Sequence, residues 1–599
     1  MDSQEQLAIL HLRESRRSIA PTGKDSRARW TTQTERALVE LWDRSLAEQG
    51  APVEPRGLAL AAVGSLGRRD CGPESDIDLV LFHDGKPHRE LKDGLQGLAD
   101  SLWYPIWDSH IELDHSVRSL AECRGIAKAD LAASLGLLDI RRIAGDRELV
   151  EDATSRILAD WRAGARQRFS ELTDRQAARR RQFGRLAYLI EGDIKEAAGG
   201  LRDALLIKAM VASWLAERPA IAYEPAYEFL LDVRDGLASL TRRHNHVLRL
   251  EYQDDVAALL GFTGQSGQDP ADELLMEIAQ AARTIRAAYA ETARRAQGNL
   301  RAPERPRFKP RMVRGRAAPP VLQEIVPGVA ESGGELVLSR SGNPADPRLL
   351  LAMARAAAER DLPIRLATLQ HLEQAGAGRE LAYRWELGEP WPQWAREDFE
   401  AILGSSRGQI TVWEFLDIAG LLTQLVPAWE EVRNLPQRSA IHRHTVDRHQ
   451  IEVVSRIPDV TSGQVALADL SPRRRSALLL AALFHDIGKR PGHPRHAQRG
   501  AEMIPGILTP MGYPRAVVDV VVVLTRHHLL LGDLATSADP EEPQTWRSIS
   551  AAVQGDAELL ACLHLLTQAD ASSCKPEAWD EWKASLVANL VRNTRASLA

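Results

Sequence analysis

The sequence predicts a chain of several domains in the α/β plus all-α class. Its 599 residues are too many for a single hydrophobic core. Short strand-like runs occur between helical stretches near the N-terminus, whereas helical periodicity dominates the later parts. We therefore divide the chain into an α/β domain at residues 1–160, a helical domain at 161–300, a linker and connector region at 301–430 and an all-helical domain at 431–599.

One helix and three strands are predicted in the N-terminal domain. Apolar residues recur at helical spacing over residues 31–49. Strand candidates follow at residues 58–63, 77–82 and 111–117, with helix-like sequence between the second and the third. The first strand is followed by glycine, which indicates a tight turn.

Helices are predicted for most of the remaining chain. Residues 161–296 combine helical periodicity with many arginines, which we expect mostly on a solvated face. Residues 301–320 contain five prolines and predict an extended linker. Beyond the linker we expect a strand at 335–338 and a helix at 347–360. From about residue 411 helical periodicity returns, together with a concentration of histidines.

The composition argues against several classes of protein. With 82 acidic and 76 basic residues, the formal charge of −6 gives no basic field for nucleic acid, so a protein or small-molecule partner is favoured. The four cysteines form no CxxC pair, which indicates neither a disulfide framework nor a thiolate zinc site and fits the cytoplasm. No apolar run is long enough to cross a membrane, and the N-terminus lacks an export signal.

A first group of candidate site residues follows the first predicted strand. Asp76 and Asp78 lie two residues apart, so on a strand their carboxylates share one face. Such a pair can hold divalent cations that bridge triphosphate oxygens, which predicts nucleotidyl transfer with Mg²⁺. Glu112 or Asp114 on the third strand could complete the site, and we favour Asp114. Asp76, Asp78 and Asp114 are thus the expected catalytic residues.

The turn between the first two strands is a candidate nucleotide-binding loop. Gly64 and Gly67 would let the backbone approach phosphates closely, Ser65 would donate a hydrogen bond, and Arg68 would neutralise charge. An alternative is that these residues build only a surface turn. The succession of strand, glycine turn and paired aspartates favours the functional interpretation.

A second group of candidates consists of histidines and aspartates spread over the C-terminal helices. Imidazole and carboxylate together suit zinc, manganese or iron, which promote phosphoester hydrolysis. We predict four primary ligands, namely His449, His485, Asp486 and Asp570. His496 and His528 are candidates for a second metal or for phosphate binding, and Lys489 could pair with phosphate charge.

The alternative for each of these histidines is a hydrogen-bonded core residue. His485 and Asp486, however, directly follow the apolar run LLLAALF, where burial of two polar groups requires a metal or hydrogen bonds. This placement favours the metal interpretation and makes His485 and Asp486 the expected catalytic pair. Four other histidines are left as surface or supporting residues: His442, His444, His493 and His527.

These segments together resemble the bifunctional PII uridylyltransferase/uridylyl-removing enzyme family. The matching segments are GSLGRRDCGPESDID, WDSHIELDHSVRS, EGDIKEAAGGLRD, LRLEYQDDVAALLGF, LTQLVPAWEEVRNLPQ, TVDRH, ALFHDIGK and TQADASSCKPEAWDEWK. They occur in the order found in the family and span about residues 31–590.

The resemblance implies a function for each region. A polymerase-beta-like nucleotidyltransferase domain would attach UMP or AMP, from UTP or ATP, to a tyrosine of the PII nitrogen-signalling protein, using Mg²⁺. An HD phosphohydrolase domain would remove the nucleotide with Mn²⁺, Fe²⁺ or Zn²⁺. The segment DIKEAAGGLRD, with Lys195, Arg202 and Asp203, would support the transferase site, or else form only a helix N-terminus with an ion pair.

The sequence departs from the family pattern in two places. Family members continue into two ACT domains that sense glutamine, whereas this sequence stops at Ala599, either as a truncated chain or as a short form under other control. Position 198 is alanine where the family tends to have proline, a difference that we expect to be tolerated.

Two other functions compete with this interpretation. The first is an RNA-directed nucleotidyltransferase joined to an HD phosphohydrolase domain, against which the near-balanced charge and the DIKEAAGGLRD segment argue. The second is a non-catalytic PII-binding regulator. The presence of Asp76, Asp78, His485 and Asp486 argues against that regulator.

Overall fold

The structure is a computed structural model, and it describes residues 8–264, 269–301, 312–313, 316–317, 322–437, 442–463, 465–490 and 493–598. Two compact units make up the chain. The first unit contains residues 1–187, 191–265 and 277–302, and the second contains 188–190, 266–276 and 303–599. Most of the linker predicted at residues 301–320 lies outside the described residues.

The first unit combines a four-stranded sheet with helices, as the α/β prediction requires. Its strands are β1 (Leu58–Ala62), β2 (Ile77–His83), β3 (Leu113–Ser119) and β4 (Arg141–Gly145). Its helices are α1 (Leu12–Arg17), α2 (Lys24–Glu48), α3 (Gly64–Arg68), α4 (Gly94–Asp108), α5 (Leu120–Ala129), α6 (Leu131–Leu137), α7 (Arg147–Ala163), α8 (Ala165–Phe183), α9 (Leu201–Ala212), α10 (Glu224–Thr241), α11 (Leu250–Leu259) and α12 (Pro270–Arg301), whose first turns belong to the second unit.

The sheet is mixed, with the order β3-β2-β1-β4. β1 pairs antiparallel with β2 and β4, and β2 pairs parallel with β3. The three predicted strands all form, and the third begins two residues later than expected. Sequence reasoning missed β4, because its residues RRIAG are too few and too polar to show a clear strand pattern.

Helices cover both faces of this sheet. Leu58, Leu60 and Ala62 of β1 point into a core that includes apolar residues of α2 and α4. The alternate residues Ala59 and Ala61 point into a second core with apolar residues of α5 and α7. A strand buried on both faces explains why β1 reads as a continuous apolar run rather than an alternating one.

The second unit is mainly helical. Its strands are β5 (Met312–Val313), β6 (Arg316–Ala317), β7 (Glu324–Val326), β8 (Val329–Ser332), β9 (Glu335–Leu338), β10 (Thr461–Ser462) and β11 (Val465–Ala466). Its helices are α13 (Pro347–Arg360), α14 (Leu366–Gln374), α15 (Ala377–Glu386), α16 (Gln393–Leu403), α17 (Gly408–Ile418), α18 (Leu421–Leu425), α19 (Val446–Arg456), α20 (Pro472–Phe484), α21 (His496–Leu508), α22 (Arg515–His527), α23 (Leu530–Ser537), α24 (Pro543–Ala552), α25 (Ala557–Ser572) and α26 (Glu581–Leu598).

Helix α20 is the centre of the C-terminal helical part. It packs against α19, α22 and α25, and every residue from Ala477 to Phe484 is buried. A helix that is apolar on all sides is typical of a core position. The strand and helix predicted at residues 335–338 and 347–360 match β9 and α13. The region predicted as all-helical also contains the short β10–β11 hairpin.

Among the described helices, none is by itself both long enough and apolar enough to cross a membrane. The consecutive helices Pro543–Ala552 and Ala557–Ser572 reach the required length and apolarity only when they are counted together. Their axes differ in direction by 97°.

Helices α2 and α10 of the first unit are joined by a buried charge cluster. The guanidinium of Arg27 donates hydrogen bonds to Asp232, Asp235 and Glu228. The side chain of Arg27 is 3% exposed and that of Asp235 is 0% exposed. Removal of the arginine would therefore leave a buried carboxylate with incomplete compensation.

We expect Arg27→Met to lower the free energy of unfolding of the first unit by about 3 kcal/mol, because the buried Asp235 would lose one of its two guanidinium partners, Arg27 and Arg234. The matched control is Arg44→Met on the same helix, whose exposed pair with Glu48 is worth about 0.5 kcal/mol or less. Hydrogen exchange of first-unit peptides in increasing urea measures both. Equal losses for the two variants would contradict the structural role of Arg27.

Candidate active sites

Three carboxylates meet on one face of the sheet in the first unit. Strands β2 and β3 pair Asp78 directly with Asp114, so the two side chains share a face. Asp76 lies two residues before Asp78 in the chain. All three residues line one cavity of about 930 Å³. Of the two candidates for a third carboxylate, Asp114 lines this cavity, and Glu112 is not among its lining residues.

The crowding of these carboxylates has a clear electrostatic consequence. Burial, followed by the charges of Asp76 and Asp114, raises the pKa of Asp78 to about 7. Like charges held together disfavour the ionised form, and a divalent cation between them would reverse this effect. The donor set of three oxygen ligands suits a hard cation such as magnesium. These residues therefore fit a divalent metal.

The predicted turn after β1 is the short helix α3, and its glycines have different surroundings. Gly64 has φ +59°, and a Cβ atom there would lie 2.1 Å from Asp78 Oδ2. Gly64 and Ser65 line the cavity. A Cβ atom on Gly67 would lie 2.2 Å from the carbonyl oxygen of Asp139, so Gly67 is needed for chain packing. Only the first glycine of the pattern therefore borders the carboxylates.

Arg68 lines the cavity but is already paired with carboxylates of the protein. Its Nε donates to Asp70 at 3.0 Å, and its Nη1 donates to Asp139 at 2.7 Å. Asp70 also accepts a hydrogen bond from the Tyr227 hydroxyl at 2.5 Å, and its backbone carbonyl accepts one from Arg234. This network ties the loop between α3 and β2 to α10. The charge of Arg68 is largely compensated within it.

The residues predicted in the DIKEAAGGLRD segment fall into two groups. Lys195 and Arg202 line the cavity. Asp203 is fully buried and accepts hydrogen bonds from the Gly199 N–H at 2.9 Å and from Arg179 at 2.6 Å. Asp203 therefore holds the segment in shape at the start of α9. For Asp203, the structure matches the alternative prediction, in which the segment forms a helix N-terminus with an ion pair. Lys195, by contrast, lines the cavity.

Sequence reasoning missed several residues of this cavity. His244, His246 and Lys208 line it together with the predicted residues. The only signal in the sequence is the HNH pattern at 244–246, in a polar stretch where histidines are common without function. Long-range folding, rather than a local pattern, brings them to the site.

The ligands predicted in the C-terminal part come together as two groups of three, and within each group the ligand atoms lie within 4.8 Å of one another. The first group is His449, His485 and Asp570, and the second is Asp486, His496 and His528. In the first group, His449 Nε2 is 2.8 Å from Asp570 Oδ1. In the second, Asp486 Oδ1 is 3.4 Å from His496 Nε2 and 3.6 Å from His528 Nε2.

Helix ends position most of these ligands. His485 and Asp486 directly follow the buried helix α20, His496 begins α21, His528 directly follows α22, and His449 and Asp570 lie within α19 and α25. Asp486 lies between the two groups, because its Oδ2 is 3.4 Å from His485 Nε2 and 3.8 Å from His449 Nε2. One carboxylate thus borders both candidate metal positions.

The histidine rings are oriented by backbone carbonyls. His485 Nδ1–H donates to the Ala482 carbonyl at 3.0 Å, and His528 Nδ1–H donates to the Thr525 carbonyl at 2.7 Å. A carbonyl only accepts, so Nδ1 carries a proton in each ring and Nε2 is the nitrogen that faces the cluster. In the neutral form of each ring, the Nε2 lone pair is thus directed toward the cluster, as a metal ligand requires.

Several buried polar atoms of the cluster have incomplete bonding. His485 Nε2, Asp486 Oδ1 and His496 Nε2 are buried and have no hydrogen-bond partner among the described residues. Leaving such atoms unsatisfied is costly, and a divalent cation bound to them would remove this cost. Mixed nitrogen and oxygen ligands suit zinc, manganese or iron. The cluster therefore fits divalent metals.

The charges of the cluster act on one another. Burial opposes protonation of His485, but Asp486 and Asp570 outweigh it and raise the pKa of His485. Burial opposes ionisation of Asp486, but Lys489 and His485 outweigh it and hold its pKa well below the usual value. The Lys489 ammonium lies 2.7 Å from Asp486 Oδ2. Burial, followed by the charge of His485, lowers the pKa of His528 to about 4, so its ring is neutral at neutral pH. His442, which the sequence predicted to be a surface or supporting residue, lies beside Lys489 with its Nε2 3.4 Å from Nζ.

Comparison with known proteins gives matches to both halves of the chain. The family described as GlnD PII-uridylyltransferase matches residues 167–293, and the HD domain family matches residues 461–573. The HD match includes the residues from His485 to Asp570 and begins after His449. The first match includes Lys195, Arg202 and Asp203 but not the carboxylates of Asp76, Asp78 and Asp114, which precede it.

Three similar proteins carry the name bifunctional uridylyltransferase/uridylyl-removing enzyme. The protein of Streptomyces coelicolor is 43% identical over 94% of this chain and 65% of its own length. That of Mycobacterium tuberculosis is 38% identical over 95% of this chain and 67% of its own length. That of Corynebacterium glutamicum is 35% identical over 89% of this chain and 71% of its own length. The chain thus spans about two thirds of the length of these curated relatives.

The raised pKa of Asp78 predicts an unusual pH dependence of stability in divalent-free buffer. The folded chain keeps the Asp78 proton up to about pH 7, whereas an unfolded aspartate loses it near pH 4. The folded state therefore binds more protons in this window, and the Asp78 contribution to stability falls as the pH rises from about 4 to about 7.

We therefore expect Asp78→Asn to raise the melting temperature relative to wild type, and by more at about pH 8 than at about pH 4.5. Calorimetry with EDTA present measures this difference, and Asp43→Asn, at an exposed position of α2, is the control. A difference of equal size at both pH values would show that Asp78 does not titrate under the influence of its neighbours.

Proposed function

The chain belongs to the family of bifunctional uridylyltransferase/uridylyl-removing enzymes, and we propose that it attaches UMP or AMP to a PII nitrogen-regulatory protein and removes the nucleotide by hydrolysis. One observation carries the proposal: each unit contains its own cluster of groups suited to metal ions. The carboxylates of the first unit border a cavity, and the histidines and aspartates of the second leave buried ligand atoms unsatisfied.

The transferase reaction is assigned to the first unit. Asp76, Asp78 and Asp114 would hold Mg²⁺, which when bound neutralises the charge of a triphosphate and of its leaving group. The volume of the cavity, about 930 Å³, suits a nucleoside triphosphate, either UTP or ATP. Gly64 leaves space beside the Asp78 carboxylate. The hydrogen bonds of Asp70 hold the loop between α3 and β2 in place.

Hydrolytic removal is assigned to the second unit. One cation would bind His449, His485 and Asp570, and a second would bind Asp486, His496 and His528. Mn²⁺, Fe²⁺ or Zn²⁺ suits these ligands and, when bound, lowers the pKa of water and neutralises phosphodiester charge. The backbone carbonyls of Ala482 and Thr525 fix the rings that present the ligand atoms.

A cytoplasmic location follows from the same proposal. Cys71, Cys123 and Cys562 are free and buried, and Cys574 is free and partly buried. No disulfide forms among the described cysteines, as is usual for a reducing compartment. A cytoplasmic signalling protein and a nucleoside triphosphate would both be available there.

The direct test is incubation of the full chain with purified PII, Mg²⁺ and labelled UTP or ATP. We expect label on PII in the wild type, and a loss of more than about 100-fold for Asp78→Ala, because removal of a metal ligand should exceed the effect of losing a supporting partner. Asp43→Ala is the control. Absence of label with the wild type, or transfer to tRNA instead of PII, would contradict the proposal.

The second site is tested by the release of nucleotide from modified PII. We expect His485→Ala combined with Asp486→Ala to slow release by more than about 100-fold, since both candidate metal positions lose a ligand. Attachment by this variant should persist, and His371→Ala, at an exposed position of α14, serves as the control. If the folded double variant lost both activities, the assignment of separate sites would be wrong.

A further inference from the structure

The cationic side chains around the cavity of the first unit differ in how their charges are compensated. Four arginines that line it are paired with carboxylates of the protein, namely Arg68, Arg179, Arg202 and Arg234. Four further cations line it, namely Arg118, Arg175, Lys195 and Lys208, and none of the described carboxylates lies within ion-pair distance of their charged groups. Lys195 stands out among these four because its charge acts on Asp78. Its polar partner is the imidazole of His246, with Nζ 3.3 Å from Nε2.

Backbone hydrogen bonds place Lys195 and His246 side by side. The Ile194 N–H donates to the His246 carbonyl at 2.9 Å, and the Leu248 N–H donates to the Gly192 carbonyl at 3.1 Å. Asp193 Oδ1 accepts from the Lys195 N–H at 2.9 Å. Residues 192–194 and 246–248 are thus paired directly beside this contact, which fixes the positions of the two side chains more firmly than a contact between unpaired segments would.

The electrostatics agree with a lysine that donates to a neutral imidazole. Burial, followed by the charge of Lys195, lowers the pKa of His246 to about 3, so the ring is neutral at neutral pH. Burial and Arg202 lower the pKa of Lys195, whereas Asp76 opposes them. The lysine charge also acts on Asp78. The ammonium group therefore lies within electrostatic reach of the carboxylates.

We propose that Lys195 binds the β- and γ-phosphates of the nucleoside triphosphate and that His246 is the positioning residue that orients its ammonium group. This inference rests on the proposed transferase function. A cation without a carboxylate partner gives its full charge to an incoming polyanion, whereas a paired arginine gives only part of it. Lys195 thus takes the charge-neutralising role that the sequence pattern suggested for Arg68.

Lys195 would also act in the transfer step. The target hydroxyl oxygen forms a bond to the α-phosphorus, and the bond from that phosphorus to the α,β-bridging oxygen breaks. The electron pair of the broken bond remains on pyrophosphate, and the hydroxyl proton passes to water. An ammonium group at the β- and γ-phosphates stabilises the charge that develops on this leaving group.

The test is calorimetric titration of the full-length chain with magnesium pyrophosphate, a probe that needs no turnover. We expect Lys195→Met to raise the dissociation constant roughly 10- to 100-fold, the range for loss of a charge-assisted hydrogen bond. Lys92→Met removes an exposed lysine of the same unit outside the cavity and should leave binding unchanged. Lys195→Gln provides a second variant if the methionine variant has a lowered melting temperature.

The role of His246 is tested with two substitutions and a double variant. His246→Leu removes the acceptor and should weaken pyrophosphate binding roughly 10-fold, whereas His246→Gln keeps an acceptor and should stay close to wild type. Because His246 acts through Lys195, His246→Leu should have no further effect in the Lys195→Met background. A merely structural histidine would weaken binding in both backgrounds.

The outcomes separate this inference from the proposed function. If the wild type fails to bind magnesium pyrophosphate and magnesium UTP or ATP, the transferase assignment itself is wrong. If the wild type binds and both Lys195 variants bind equally well, only the role of Lys195 is overturned. If His246→Leu weakens binding equally with and without Lys195, the positioning role of His246 is overturned.

Discussion

Each unit gathers polar side chains whose charges or lone pairs the protein itself does not satisfy. In the first, burial and the neighbouring carboxylates of Asp76 and Asp114 raise the pKa of Asp78, so its side chain resists ionisation. In the second, His485 Nε2, Asp486 Oδ1 and His496 Nε2 are buried without a hydrogen-bond partner among the described residues. Such arrangements cost free energy in the metal-free chain, and the surrounding packing has to hold them together against that cost.

The two scaffolds meet this constraint in different ways. In the first unit, the parallel pairing of β2 with β3 aligns Asp78 with Asp114, so strand register determines the site. In the second unit, helix ends converge around α20, and backbone carbonyls at Ala482 and Thr525 orient two rings. A sheet thus aligns short carboxylates along one face, whereas a helical bundle brings long imidazole side chains inward from several directions.

The sequence predicted those parts of the sites that depend on local patterns. Asp76 and Asp78 were found because their alternate spacing is visible within three residues, and His485 and Asp486 because they follow an apolar run. Arg68 could not be understood in this way, since its partner Asp139 is 71 residues away. The contact of Lys195 with His246 spans 51 residues and has no pattern that sequence reasoning could use. The strand β4 was missed because its five residues show no clear strand pattern and it forms by pairing with the buried strand β1.

The hydrogen bonds at Asp70 have a consequence for the modularity of the chain. The strand and helix patterns of the sequence predict an α/β domain that ends near residue 160, yet Tyr227 and Arg234, which hold the Asp70 loop, come from beyond that boundary. Lys195 and His246 also lie beyond it. A gene fragment that ended near residue 160 would keep the aspartates. It would lose the residues that hold the Asp70 loop and that form part of the cavity wall. Recombination between relatives would therefore preserve this cavity only if the exchanged segment carried both parts together.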